Sequence, residues 1–418
     1  MLSKFVGEDS FLKGVTIYLK KHLYANSVTQ DLWQGIQEAT GLNIPKLMDN
    51  WIKKVGYPVI TVTETKDGIH LRQDRFLETG PASPDENETI WTVPLSLLSV
   101  SDNGDILLDT QAVLDSREKT ISLDISKPFK LNAGTISFCR VLYTPERLVA
   151  IGKEAAKNPS LFSIVDRLGL VYDALELARA GLATVSSALS LIDVLRDETE
   201  VVVLKSIAGN LSILSSVWWE YPNMVESLQA FERGIFVPIV KRLGYEFSEG
   251  EDVDSRALRE LSITRAALSG DLSVIQELTS RFAHYIRTGD DSTIPADLEG
   301  IIYTIAVRYG GRDEWNAVKR IGSRPKNPAS GIAAMTAMGH TSDLELAKET
   351  FQYILSECRD QDLDYQETAE FFKDKDTARY RLALQSTLSN IASRAAWVKR
   401  STDDIEGWLE ASMKKDIR

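Results

Sequence analysis

The sequence predicts a mainly helical protein with one small β-sandwich: a helical N-terminal stub, the sandwich, and a C-terminal ARM/HEAT-like α-solenoid. Three observations predict it. Apolar residues recur at helical spacing from Met1 to Val55. At Tyr57 the period falls from about 3.6 to about 2, and short β-rich runs follow as far as Tyr143. From about Thr144 helical spacing returns and lasts to the end of the chain. A chain of 418 residues exceeds what one hydrophobic core serves, so the expected division is 1–55, 56–143 and 144–418.

In the stub, Leu12, Val15, Leu19 and Leu23 are spaced to line one helix face, with Asp9 or Ser10 as the cap. A second helix is expected over Thr29–Thr40, behind the cap residue Ser27 and stopped by Gly41. A third starts near Pro45, which a first turn tolerates, and ends by Gly56.

The β-rich runs are PVITVTET, IHLRQDRF, ETIWTVPLSLLSV, DILLDTQAVL, KTISLDIS and TISFCRVLY. Turn-forming clusters such as Lys66-Asp67-Gly68 and Ser101-Asp102-Asn103-Gly104 separate them. Strands so short and closely spaced suit a sandwich, and Ile60, Val62, Trp91, Val93 and Leu95 are its expected core.

Beyond Thr144, DRLGLVYDALELARAG, SRALRELSITRAALSG, DLEGIIYTIAVRYGG and DLELAKETFQYILSECRD each open on a polar cap residue and carry apolar residues at helical spacing. Short, numerous and tightly joined helices predict stacked antiparallel pairs with a concave side open for contact. No low-complexity linker separates the parts.

Composition narrows the function. Sixty acidic against 48 basic residues leave a net charge of −12, with a pI near 5.1. Phosphate neutralisation needs a concentrated positive face, so nucleic acid is not an expected partner. Two cysteines, Cys139 and Cys358, cannot build a disulfide framework or a thiolate metal cluster. Charges at Lys4, Glu8, Asp9 and Lys13 interrupt what would have to be an apolar signal core, and no apolar run spans a bilayer. A cytoplasmic protein away from membranes is expected.

Several stretches resemble one family. Phe11-Leu12-Lys13-Gly14, Asp31-Leu32-Trp33, Met48-Asp49-Asn50-Trp51 and Gly56-Tyr57-Pro58-Val59 are similar to the segment that follows the active-site region in M1 zinc aminopeptidases, the group of puromycin-sensitive and fungal alanine/arginine aminopeptidases. Glu88-Thr89-Ile90-Trp91, Tyr143-Thr144-Pro145-Glu146-Arg147-Leu148, Asp166-Arg167-Leu168-Gly169-Leu170 and Val307-Arg308-Tyr309-Gly310-Gly311 continue the resemblance in order. The tail, at Phe371–Thr377 and Ala395–Leu409, resembles fungal members. The likeness covers nearly the whole chain. It implies that residues 1–55 correspond to the end of a zinc domain, followed by the family's small β-sandwich and its helical C-terminal domain.

The family's zinc chemistry has no counterpart in these residues. M1 enzymes bind zinc through H-E-x-x-H and a downstream Glu, and hold the substrate amino terminus with G-x-M-E-N. Neither motif occurs, and His22, His70, His284 and His340 have no histidine four positions away. No metal and no cofactor is expected. The sequence also brings Asp360-Gln361-Asp362 close to Phe371-Phe372, where the family carries additional helices, so the helical part reads as internally shortened. Cys139 stands where the family usually has an aromatic.

Other candidate sites are few. Gly310-Gly311 follows a helical run and reads as a helix stop, not a phosphate loop. Ser212 lacks the flanking glycines of a nucleophile elbow. Cys139 reads as a buried, inert thiol. Trp218, Trp219 and Tyr221 are too close along the chain for all three rings to face one way, so one could contact a ligand. Arg308, Arg312 and Trp315 could hold a carboxylate in a guanidinium fork, with a solvated helix end as the simpler reading. Glu246, Glu249, Glu251, Asp252 and Asp254 read as a solvated loop.

Three functions follow. The first is an M1-aminopeptidase-like protein that is not a self-sufficient peptidase and binds a small-molecule ligand, a peptide or a partner. The second is a metal-free biosynthetic enzyme whose acid/base residues line an exposed pocket, with catalytic residues that the sequence does not name. The third is a subunit that complements a separate catalytic half through the apolar surface of residues 1–55, a surface that also offers self-association.

Overall fold

The computed structural model describes residues 1–359, 397, 400–408 and 411. The chain divides into two compact units, one of residues 1–210 with 391–418 and the other of residues 211–390.

The first unit opens with α1 (Leu2–Val6), α2 (Glu8–Lys21), α3 (Thr29–Thr40) and α4 (Ile44–Lys53). Glu8 and Asp9 in the first turn of α2 and Lys20 and Lys21 in its last complement the helix dipole. The chain enters α2 through Gly7 at φ +84°, so Asp9 and Ser10 lie inside the first turn instead of capping it. Helix α3 has the expected bounds, but its cap is one residue later than Ser27: the Asp31 carboxylate accepts the Val28 N–H at 2.8 Å. The Ser27 hydroxyl pairs with Tyr18 instead, at 2.6 Å. Gly41, at φ +74°, ends α3, and the Asn43 side chain caps α4 ahead of Pro45. Glycines let α2 and α3 touch backbone to backbone, for a Cβ on Gly14 would lie 2.5 Å from the Ile36 Cα. Leu2, Phe5, Trp33, Ile36, Ile44 and Leu47 form the stub's core.

The expected apolar face stands largely exposed. Leu12, Leu19 and Leu23 are 54%, 56% and 65% exposed, and Leu23 lies beyond the end of α2. Periodicity located an apolar stripe correctly, but the described residues place nothing over it.

Among the described residues the strands form three small sheets. The largest has the order β7-β2-β1-β9, from β1 (Pro58–Thr65), β2 (Gly68–Arg75), β7 (Glu118–Ser122) and β9 (Arg140–Leu142). The hairpin β1–β2 turns at Lys66-Asp67, with Thr65 opposite Gly68, and β9 lies parallel to β1. A second sheet pairs β3 (Val93–Pro94) with β6 (Val113–Leu114), and a third runs β5-β4-β8, from β4 (Leu97–Val100), β5 (Ile106–Asp109) and β8 (Phe129–Lys130). Ile60, Val62, Trp91, Val93 and Leu95 are buried as expected. The buried Gln73 amide donates to the carbonyls of Trp91 and Ser116, each at 2.9 Å, and accepts the Trp91 N–H. Two long expected strands are broken. ETIWTVPLSLLSV gives β3 and β4 around Ser96 at φ +41°, and the start of TISFCRVLY belongs to a 3-10 turn at Ala133–Thr135.

Helices α5 (Pro145–Ala155), α6 (Ile164–Arg179), α7 (Val185–Val194) and α8 (Val201–Val217) follow, and the boundary between the units falls within α8. Thr144, Ser163 and Thr184 cap the first three. Buried charge joins strands to helix α6: Lys130 meets Asp166 at 2.9 Å, with both side chains 5% exposed. Arg140 and the Val141 N–H hold Asp173 at 3.1 and 3.0 Å. At the C-terminal end, Asp404 accepts the Ser186 N–H and the Trp408 indole donates to Ser190, each at 2.7 Å.

The second unit contains α9 (Pro222–Leu243), α10 (Val253–Leu268), α11 (Leu272–Thr288), α12 (Glu299–Tyr309), α13 (Arg312–Ser323), α14 (Pro328–Met338) and α15 (Leu344–Arg359). Helix α9 packs on α10, α11 on α12, and α14 on both α12 and α13. Helix α12 is buried from Ile301 through Val307. The acidic stretch before α10 is largely exposed, as expected, and its members also make local contacts. Asp252 caps α10, accepting the Ser255 N–H at 2.9 Å, while Glu251 grips Arg259 and Glu246 grips Arg281. The segment around Asp360 and Phe371–Phe372, where the sequence suggests shortening, lies outside the described residues.

Candidate functional site

The aromatic cluster divides as its spacing requires. Trp218 is buried, whereas Trp219 is 71% exposed and Tyr221, which precedes the first turn of α9, faces solvent in part.

On α12 and α13 the second group is largely committed to the protein itself. Trp315 is 1% exposed and donates its indole N–H to the Thr350 hydroxyl at 2.9 Å. Arg312 holds Glu349 at 2.6 Å, so a carboxylate of the chain occupies the fork that the sequence offers to a ligand. That contact also keeps the Glu349 carboxyl below the usual range. The Arg308 guanidinium lies 5.7 Å from the Tyr309 ring centroid. Gly310 ends α12 through a hydrogen bond to Ala306, and the Gly311 N–H is taken by Glu314 at 2.8 Å, so the glycine pair is a helix stop and start.

The four histidines are dispersed. His22 faces Asp31 at 3.7 Å, His70 faces Glu118 at 3.5 Å and His284 faces Asp290 at 3.5 Å. Burial, helped by Arg308, lowers the proton affinity of His340. Among the described residues no group of three His, Cys, Asp or Glu side chains is placed to hold a metal ion, so these residues do not fit a zinc centre. Cys139 is half-buried and not fully buried as expected, and burial, helped by Asp173, raises its thiol well above the usual range.

Sequence reasoning missed two clefts. One, of about 560 Å³, lies in the first unit between the loop after α5 and the loop before α8. Its central charges neutralise each other: Arg167 meets Glu198 at 2.7 Å, and Glu198 also accepts the N–H groups of Thr199 and Glu200. The other, of about 450 Å³, is lined by Asn316, Lys319, Arg320, Ser323 and Arg324 at the C-terminal end of α13. Part of its signal was legible, since Asn316, Lys319, Arg320 and Ser323 share one face of α13, which ends before Arg324.

A short run of strands followed by tightly joined capped helices is the order expected of an aminopeptidase C-terminal region. Comparison agrees. Residues 128–365 match the family described as ERAP1-like C-terminal domain, and residues 1–51 match the peptidase family M1 domain. The chain belongs to the M1 aminopeptidase family, of which it carries a C-terminal part. It is 32% identical over 356 residues to aminopeptidase 2, mitochondrial, of Saccharomyces cerevisiae, covering 85% of this chain and 36% of that protein. The alanine/arginine aminopeptidase of the same yeast is 33% identical over 359 residues, 85% of this chain and 40% of the relative. Aminopeptidase 2 of Candida albicans is 29% identical over 471 residues, 99% of this chain and 50% of the relative. That span exceeds the 418 residues here by 53, so the Candida protein has positions without a counterpart in this chain. The chain spans between about a third and a half of the length of these relatives.

Proposed function

We propose that this chain is the non-hydrolytic portion of an M1-aminopeptidase-like protein and acts by binding. The exposed apolar side of residues 1–55 is the seat for the remainder of an M1 peptidase domain, whether that arrives on the same or another polypeptide. One observation carries this reading: the segment that matches the M1 peptidase domain, residues 1–51, is also where Leu12, Leu19, Leu23, Tyr24 and Val28 stand exposed. Exposed apolar side chains gathered in one short segment mark an interaction surface. In this reading residues 56–143 and 144–418 are the family's sandwich and solenoid, the concave side of the solenoid takes a peptide or small molecule, and the protein works in the cytoplasm.

The test uses the purified chain and a polypeptide carrying the preceding zinc portion of the yeast aminopeptidase 2. Alone, the chain is expected to release no product from an alanyl nitroanilide. Mixed, the two are expected to sediment together, and Leu12→Ser with Leu19→Ser to abolish that complex. Chelator-sensitive hydrolysis by the chain alone would overturn the proposal. For the metal-free enzyme reading, the larger cleft offers Asp197 and Glu200 beside the paired Arg167 and Glu198, and the smaller is lined by no carboxylate among the described residues.

A further inference from the structure

We propose that the cleft at the C-terminal end of α13 binds a small polyanion, a ligand carrying two or more phosphate or carboxylate groups. Lys319 and Arg320 in the last turns of α13, Arg324 just beyond its end, and Asn316 and Ser323 line a volume of about 450 Å³. That volume lies within the range of small-molecule sites. Among the described residues none of the three cations has an ion-pair partner, and no Asp or Glu lines the cleft.

Their neighbours make this unusual. In the same unit Arg256 grips Asp297, Arg259 grips Glu251, Arg265 grips Glu232 and Arg281 grips both Glu246 and Glu277. Even Arg312, at the other end of α13, holds Glu349. In a chain with twelve more acidic than basic residues, these three cations leave positive potential open around the cleft, although Lys319 also acts on the Glu349 carboxylate that Arg312 holds. The helix C-terminus favours one cation nearby. It does not account for three of them around a cleft.

The site is also held in place. The Lys319 ammonium itself lies 5.1 Å from the Trp315 ring and 5.0 Å from the Tyr353 ring, which hold it in place at the cleft wall. The Ser323 hydroxyl pairs with that of Tyr353 at 2.9 Å. Arg320 and Arg324, four residues apart on exposed backbone turns, supply two guanidinium forks that match phosphate or carboxylate oxygens.

The experiment titrates the full chain with tripolyphosphate and, separately, with citrate, by isothermal titration calorimetry at low salt. One saturable site is expected for at least one probe, and the stronger probe identifies the oxyanion class. Arg320→Gln with Arg324→Gln is expected to weaken binding by ~10-fold or more, as for the loss of charge-assisted bonds. Arg320→Lys with Arg324→Lys is expected to fall between that variant and the unaltered chain. Lys241→Gln with Arg242→Gln removes the same charge elsewhere in the unit and is expected to leave affinity within about twofold, as for screened distant charges. Thermal melts run beside each titration, and the probe is expected to raise the melting temperature of the unaltered chain but not of the double glutamine variant. No saturable site for either probe overturns the proposal. So does equal weakening by the control pair, or a glutamine variant that stays folded and binds as before.

Discussion

Helices α2 and α12 are both rich in apolar residues, yet among the described residues α2 buries only Gly14, whereas α12 buries every residue from Ile301 through Val307. Helix α12 has α11, α13 and α14 against it. Helix α2 has α3 on one side and open solvent over Leu12 and Leu19. An apolar stripe therefore reports a demand for cover without saying where the cover comes from. In the second unit neighbouring helices supply it. In the stub, under the reading proposed here, it belongs to the rest of an M1 peptidase domain.

This comparison can be broken by mutation. The largest effect is expected in the second unit, where Trp315→Ala removes a fully buried ring and its bond to Thr350. About 4 kcal/mol of stability should be lost, measured by denaturant unfolding. Next comes the junction of strands and α6, where Asp166→Ala leaves Lys130 buried without its partner. That should cost about 3 kcal/mol.

The same carboxyl gives a pH test. Burial alone would lift Asp166, but Lys130, the Ser163 hydroxyl and the Gly134 N–H together hold it below the usual range. Its contribution is therefore present above the unfolded value near pH 4 and lost as pH falls through the depressed folded value. Acid unfolding curves of Asp166→Asn should be flatter on that limb than those of the unaltered chain.

Within the stub, Gly14→Ala should cost between about 1 and 3 kcal/mol, because the new Cβ would collide with the Ile36 backbone and force α2 and α3 apart. The smallest effect is expected from Leu12→Ser with Leu19→Ser, within about 0.5 kcal/mol of neutral per site in the isolated chain. A loss as large as that of Trp315→Ala would mean that the stripe is already covered, and the contrast between the two helices would disappear.

Much of this was legible in the sequence because local rules governed it. The bounds of α3, the β1–β2 hairpin and the sandwich core residues follow from glycine stops, a two-residue turn and alternation. The family followed from ordered short motifs. What was not legible depended on distant partners. Nothing near Arg312 in sequence announces Glu349, nothing near Lys130 announces Asp166, and nothing near Glu246 announces Arg281. The strands split for a different reason: Ser96 adopts a left-handed backbone that β-propensity does not foresee.

The parallel pair β1–β9 sets Val59 beside Arg140, 81 positions later in the chain. During translation the β1–β2 hairpin must therefore wait with one flank unpaired until Leu142 has left the exit tunnel, while α2 and α3 clasp as soon as both emerge. Until β9 arrives, that flank of β1 is a bare strand edge.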